Sequence, residues 1–216
     1  MMFKSARIFG LVLLSALAVA LVAQPVRGDH PKPSVYPISW ELKFDHSKVK
    51  RIIVDVPGRG NRAFWYMTYT VTNATDQEQQ FLPEFEMLTH GGTVIRSDNN
   101  ISPKVIDAIK QRERNNALQS ALQIAGPIRA GEDQAKEGVA IWQEPEARMG
   151  TFSIFVSGLS GEIAQVKDDN GQPIKDKDGQ PIILRKTLEA VYQIPGDEVH
   201  PGEDVIIDKG DNWVMR

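Results

Sequence analysis

The sequence contains no cysteine. That excludes disulfides, thiol nucleophiles, zinc–thiolate sites and a lipid anchor on a thiol. Small exported domains often use disulfides to supplement a limited core, so this chain must rely on core size and sheet pairing. Histidine is scarce. His30, His46, His90 and His200 are the only four, and none makes the close pair of a helical zinc motif. An excess of positive charge is missing too: 25 basic residues face 28 acidic ones. Phosphate neutralisation needs a basic face, so nucleic acid is not an expected partner. Phosphate-cradling glycine patterns are absent, since Pro57-Gly58-Arg59-Gly60-Asn61-Arg62 lacks the lysine–serine ending.

Long apolar runs are also lacking, with one exception. Ile8 to Val22 is uncharged and follows Lys4 and Arg7. It is short for a membrane span, which needs roughly 20 apolar residues, and fits the apolar stretch of an export signal. Residues 1–28 are therefore read as a signal peptide, with an uncleaved N-terminal anchor as the rival reading, and 29–216 as a single domain, periplasmic or extracellular, with no membrane span after cleavage. Of the 25 basic residues, Lys4, Arg7 and Arg27 would be lost, leaving 22 against 28 acidic, a net charge of −6.

What is abundant is alternation. Tyr36, Ile38, Trp40, Leu42 and Phe44 are apolar, with polar residues between Ile38 and Phe44. Period two predicts a strand with one wet face. Ile52, Val54 and Val56 repeat the pattern. In Ala63–Asn73, Trp65, Met67, Tyr69 and Val71 share one face, and Tyr66, Thr68, Thr70 and Thr72 the other. Further strands are expected at 81–89, 93–96, 139–142, 151–156, 184–194, 205–207 and 213–215. Many short strands separated by polar turns predict an all-β sandwich or barrel. Lys48, Lys50 and Arg51 read as a solvated strand face.

One segment departs from this rule. Ser102-Pro103 has the form of an N-cap and first helical residue. A helical insertion is expected over about 103–124. The stripe of Val105 and Ile109 is out of phase with that of Leu118 and Leu122, which predicts two short helices broken near Asn115-Asn116. Asn116 would cap the second, with Gln119 at its third position. The insertion is expected to pack across one end of the sandwich, with a lid or a partner-binding arm as the alternatives.

The stretch Asp168–Ile182, DDNGQPIKDKDGQPI, says nearly the same thing twice. A calcium loop of the helix–loop–helix kind needs oxygen ligands at positions 1, 3 and 5, glycine at 6 and glutamate at 12. Alignment on either glycine puts Val166 or Ile174 at position 1. Asn-Gly and Asp-Gly equally mark tight turns. Residues 168–181 are read as an exposed, flexible acidic loop of two turns. Asp168, Asp176 and Asp178 remain candidates for an irregular calcium site. Glu84, Glu86 and His90 form a second candidate metal set, because alternate strand residues share a face. His200, Glu203 and Asp204 form a third. Ser160 lies between Gly158 and Gly161, but Glu162 occupies the place where a nucleophile elbow needs glycine. Paired carboxylates for a hydrolase remain open, since distance in space is invisible in sequence.

The order of YTVTN, FLPEFEMLTHGGTVIRSD, AGPIRAGEDQAKEGVAIW and GTFSIFVSGLSGE resembles immunoglobulin-like domains of exported bacterial proteins. The whole chain resembles small exported proteins of planctomycete-type bacteria, of unknown function. The resemblance covers roughly Tyr36 to Glu162. It implies an immunoglobulin-like β-sandwich and brings no catalytic residue with it. The expected role is an exported, non-catalytic binding or structural module of the bacterial envelope, with a protein or envelope partner. A calcium or His/carboxylate metal protein is the alternative, and a carboxylate-based hydrolase a third.

Overall fold

A computed structural model describes residues 30–144, 150–195 and 205–216. Its first strands are β1 (Lys43–His46), β2 (Lys50–Val56), β3 (Gly60–Thr72), β4 (Gln79–Phe81), β5 (Glu84–Leu88) and β6 (Val94–Arg96). Helix α1 (Pro103–Glu113), β7 (Gln119–Ser120), α2 (Ala121–Ile124) and β8 (Gly126–Ile128) follow. The last strands are β9 (Lys136–Gln143), β10 (Thr151–Ser157), β11 (Ile163–Gln165), β12 (Ile183–Gln193) and β13 (Ile207–Met215).

These strands form a β-sandwich. One main sheet has the order β1-β3-β9-β7, with β2 also on β3; the other has β11-β12-β10-β5-β6, with β13 also on β12; β4 and β8 pair in a small third sheet. All pairings but that of β7 with β9 are antiparallel within these sheets. The alternation of β3 decides which side chains meet. Trp65, Met67, Tyr69 and Val71 enter the core between the sheets, opposite Phe85, Phe152, Ile154 and Tyr192. Trp65 meets Phe152 edge-on at 5.6 Å between ring centroids, and Tyr69 lies 4.8 Å from Phe85. Such aromatic pairs add to burial by favourable ring electrostatics. At the end of β3, Asn73 is fully buried. It donates to the Gln77 and Ile128 carbonyls and accepts from Thr75, so the chain's turn and β8 are held by one amide.

The opposite face of the first sheet is apolar as well. Phe64 and Tyr66 on β3 join Val54, Val56, Val139 and Ile141, and α1 covers them with Val105 and Ile109. The insertion thus lies on an outer sheet face rather than across one end. An exposed face carrying Phe64 and Tyr66 would leave a large apolar patch in water, and the helix removes it. Glu113 fixes its C-terminal end, accepting from the Tyr66 hydroxyl at 2.6 Å and from Lys50 Nζ at 2.7 Å. Arg51 pairs with Glu144 at 2.6 Å. Lys50 is therefore an ion-paired docking group for the helix and Arg51 is ion-paired within its own sheet, while Lys48 is exposed as the solvated-face reading expects.

The insertion is two short helices as expected: α1 ends at Glu113, capped by Arg114 at φ 53°, and α2 begins at Ala121. Other expectations are corrected. Asn116 does not cap the next helix: Ser120 does, in a capping box with Gln123. Leu118 is buried outside any helix, because Gln119–Ser120 pairs with β9. Leu122 is 86% exposed. The expected strand over 81–89 breaks at Leu82-Pro83, where proline lacks the donor a ladder needs. The two short strands expected at 205–207 and 213–215 are one, β13. Tyr36 and Ile38 are not core residues and stand 80% and 72% exposed. Pro37 between them prevents regular pairing, and the ladder forms only from Trp40 on, against Leu159–Gly161.

Candidate functional site

At one end of the sandwich the break at Leu82-Pro83 opens a cleft of about 710 Å³. Its walls come from Leu82–Phe85, from Arg96–Asp98 beyond β6, from Ala121, Leu122 and Ala125 of the α2 region, from Ser157–Gly158 and Ser160–Gly161 beyond β10, and from Trp40 and Arg185. Two glycines make the walls possible. Gly158 has φ +85°, and a β-carbon there would collide with the Leu82 carbonyl. A β-carbon on Gly161 would collide with the Trp40 indole Nε1. Each is a place where only a hydrogen fits.

Asp98 is the unusual group in this cleft. Its φ is 58°, a left-handed conformation that costs a non-glycine residue energy, though Asp tolerates it better than most. Its N–H donates to the Ile141 carbonyl at 2.7 Å, which holds the backbone in place. Oδ2 accepts from the Ser97 hydroxyl at 2.7 Å. Oδ1 is sealed from solvent and has no partner in good hydrogen-bond geometry, although the Ala121 amide lies close enough to favour the charged carboxylate. Burial pushes the carboxyl up to about 6, with Ser97 and the nearby Ala121 amide opposing the shift. A strained residue, an unpaired buried oxygen and a perturbed carboxyl in the main apolar cleft form a site-like combination. No family model, curated protein or solved structure matches this chain. The chemistry of the cleft rests on its geometry alone.

A buried ionic cluster borders the cleft. Lys186 is only 3% exposed and lies 2.8 Å from Glu41, 3.5 Å from Glu162 and 4.8 Å from the Trp213 ring centroid. Glu162 also accepts from the Ser34 amide at 2.7 Å. The cluster pins the entering chain at Ser34 to sheet two. Lysine occupies the position that a cation between two carboxylates would take, so the group is a neutralised anchor.

The candidate metal residues are placed apart or engaged elsewhere. Glu84 lines the cleft and is exposed, and His90 is exposed in the turn after β5. Glu86 is held by Arg96 at 3.1 Å and Arg216 at 2.8 Å. Among the described residues, no three His, Asp or Glu side chains form a group that could hold a metal. His200, Glu203 and Asp204 lie outside the described residues.

The repeated stretch forms two turns built alike. Asp168 Oδ1 accepts from the amides of Asn170 and Gln172, and Asp176 Oδ1 from those of Asp178 and Gln180. Gly171 and Gly179 supply φ +76° and +78°. Three backbone bonds then close a ring: Ile174 N–H to Val166, Ile182 N–H to Ile174, and Val166 N–H to Ile182. The sequence repeats because the turn repeats, with each leading Asp acting as a backbone acceptor. Asp176, not Asp178, is the side-chain acceptor of the second turn, and Asp178 is exposed to solvent.

Asp98 escaped the sequence reading. Ser97-Asp98-Asn99-Asn100 has the composition of an ordinary turn, and nothing local marks its single carboxyl as desolvated.

Proposed function

We propose that this protein is an exported, non-catalytic binding or structural module of the bacterial envelope, immunoglobulin-like in its sandwich. The apolar end around the cleft is its binding surface. One observation carries the reading. Leu82 and Leu122 on the cleft's lips are 61% and 86% exposed, and Val35, Tyr36 and Ile38, which lead into the cleft wall at Trp40, are 72–89% exposed. Single exposed apolar residues are ordinary on protein surfaces, but two on the lips of a concavity, with three more in the segment that leads into its wall, mark an interaction site.

A second reading has its own support. The cleft carries two acidic side chains, Glu84 and Asp98, and one of them is raised, as a carboxylate-based hydrolase requires. Against it, Asp98 Oδ1 is sealed from solvent and Oδ2 already accepts from Ser97.

One experiment separates the two. A photo-crosslinking residue at position 122 should capture a specific envelope partner, and the purified protein should show no turnover of envelope polymers. Turnover that disappears in Asp98→Asn would overturn the binding reading and establish the hydrolase.

A further inference from the structure

We infer that His46 is a proton-operated clasp between the two sheets: charged, it ties the edge strand β13 to β1, and neutral, it loosens the first half of β13. The inference is independent of what the cleft binds. His46 lies on β1, at the edge of the first sheet, in register with Tyr69. Its side chain is 8% exposed, and its ring stands 5.6 Å from that of Phe44. Nε2 is 3.1 Å from Asp211 Oδ2, on β13 of the other sheet. Nδ1 is 3.0 Å from the Ser47 carbonyl oxygen. Both neighbours are acceptors, and neither has a hydrogen to give. A neutral imidazole carries one N–H, so either neutral tautomer sets a lone pair against an oxygen. Only the imidazolium, with two N–H groups, satisfies both contacts.

The neutral ring has a different partner. The Tyr192 hydroxyl stands 3.4 Å from Nδ1. Burial, aided by the charges of Asp208 and Asp211, pushes that phenol far up, so it keeps its hydrogen and can donate. Loss of the ring proton therefore exchanges the Ser47 contact for the Tyr192 one and leaves Asp211 with an uncharged donor. The other groups around the ring are mainly acidic. Asp208 lies on β13 with Asp211, and Asp45, Glu137 and the Tyr69 phenol share the wall of a small pocket with His46. Asp45 is paired with Lys43 at 3.3 Å. Lys48 and Lys209, the cations nearest along β1 and β13, are exposed.

The first half of β13 has little else to hold it. Among the described strands β13 pairs with β12 alone, its register slips between Val191 and Tyr192, and Ile207–Asn212 is exposed throughout. Beyond it Met215 is buried and Trp213 packs against the core. Because the closed contact takes up a proton, it is present below the pH at which the ring titrates and lost above it.

Nitrogen-15 shifts of the His46 ring in the purified protein should show both nitrogens protonated at low pH. After the proton is lost, hydrogen should remain on Nε2 only. Across the same transition, amide exchange in Ile207–Asn212 should rise on the order of tenfold relative to Val214–Met215, the effect of one charge-assisted hydrogen bond at a partly exposed carboxylate. Taking this ratio cancels the intrinsic pH dependence of exchange. Asp211→Ala should hold the ratio at its high-pH value at every pH, and His46→Gln should do the same. The unmodified protein decides the matter even where a variant fails to fold. A ring that titrates with no step in the ratio overturns the inference. So does a ring that stays neutral throughout, or one that keeps its hydrogen on Nδ1 when neutral. A step that survives in Asp211→Ala belongs to another group and overturns it as well.

Discussion

Replacing Asp98 with Asn should make the protein more stable at neutral pH. The carboxyl moves from an ordinary 3.8 to about 6 in the folded chain. The sign follows from proton binding. Between those two values the folded state holds the proton and the unfolded state does not, so stability falls as pH rises through this window and stays low above it. A shift of about two units corresponds to about 3 kcal/mol on this scale. Asn keeps the shape, tolerates φ 58°, and carries no charge to desolvate. Its amide brings two donors, of which one finds the Ser97 hydroxyl, so part of the gain is lost. A net gain of about 1–3 kcal/mol is expected at pH 7, and none at pH 4. For a domain of this size that is a rise in Tm of very roughly 3–9 °C. Urea unfolding of both proteins at pH 4, 5, 6, 7 and 8 measures it, and the difference between them removes the contribution of other carboxyls. A stability difference that is flat with pH would refute the argument, because it would mean that the carboxyl ionises as easily inside as outside. A gain accompanied by lost association would place Asp98 among residues that trade stability for function.

The docking of α1 offers a second test. Burial pushes Glu113 up, but the hydrogen bonds and charge of Lys50, the Tyr66 hydroxyl and the Arg112 charge pull it down further, and its carboxyl lies below the ordinary glutamate range. Its contribution is present above the unfolded value near 4.5 and lost as pH falls through the lower folded value. Tyr66→Phe and Glu113→Gln should each cost about 1–3 kcal/mol at pH 7. Hydrogen exchange over Pro103–Glu113 should speed up before the strands do; unchanged exchange there would mean that the apolar contacts alone hold the helix. Gly138→Ala should destabilise by about 1–3 kcal/mol, since its β-carbon would collide with the Tyr69 ring on the paired strand; a neutral result in a thermal melt would show that the ring moves aside freely. Asp176→Ala should cost about 1 kcal/mol by leaving the Asp178 and Gln180 amides without their acceptor. Melts in EDTA and in millimolar calcium should coincide; a rise with calcium, lost in Asp168→Asn with Asp176→Asn, would reinstate the cation site.

The sequence by itself determined the strands whose alternation is long and uninterrupted. Trp65, Met67, Tyr69 and Val71 face the core because side chains alternate along any extended chain, whatever surrounds it. It also determined the start of α1 at Ser102-Pro103 and the two turns of the acidic repeat, since both depend on neighbours a few residues away. Alternation says that two faces differ but not what covers them. Only the tertiary structure decided that Tyr66 lies under a helix and that Tyr36 and Ile38 lie in water. The same limit hid the cleft. Asp98, Trp40, Leu82, Leu122 and Arg185 are brought together by strand pairing and by two glycines that let backbones approach. A carboxyl's ionisation depends on the dielectric around it, and that is set by residues tens of positions away. Local chemistry was therefore legible in the chain, and desolvation, convergence and exposure were properties of the fold.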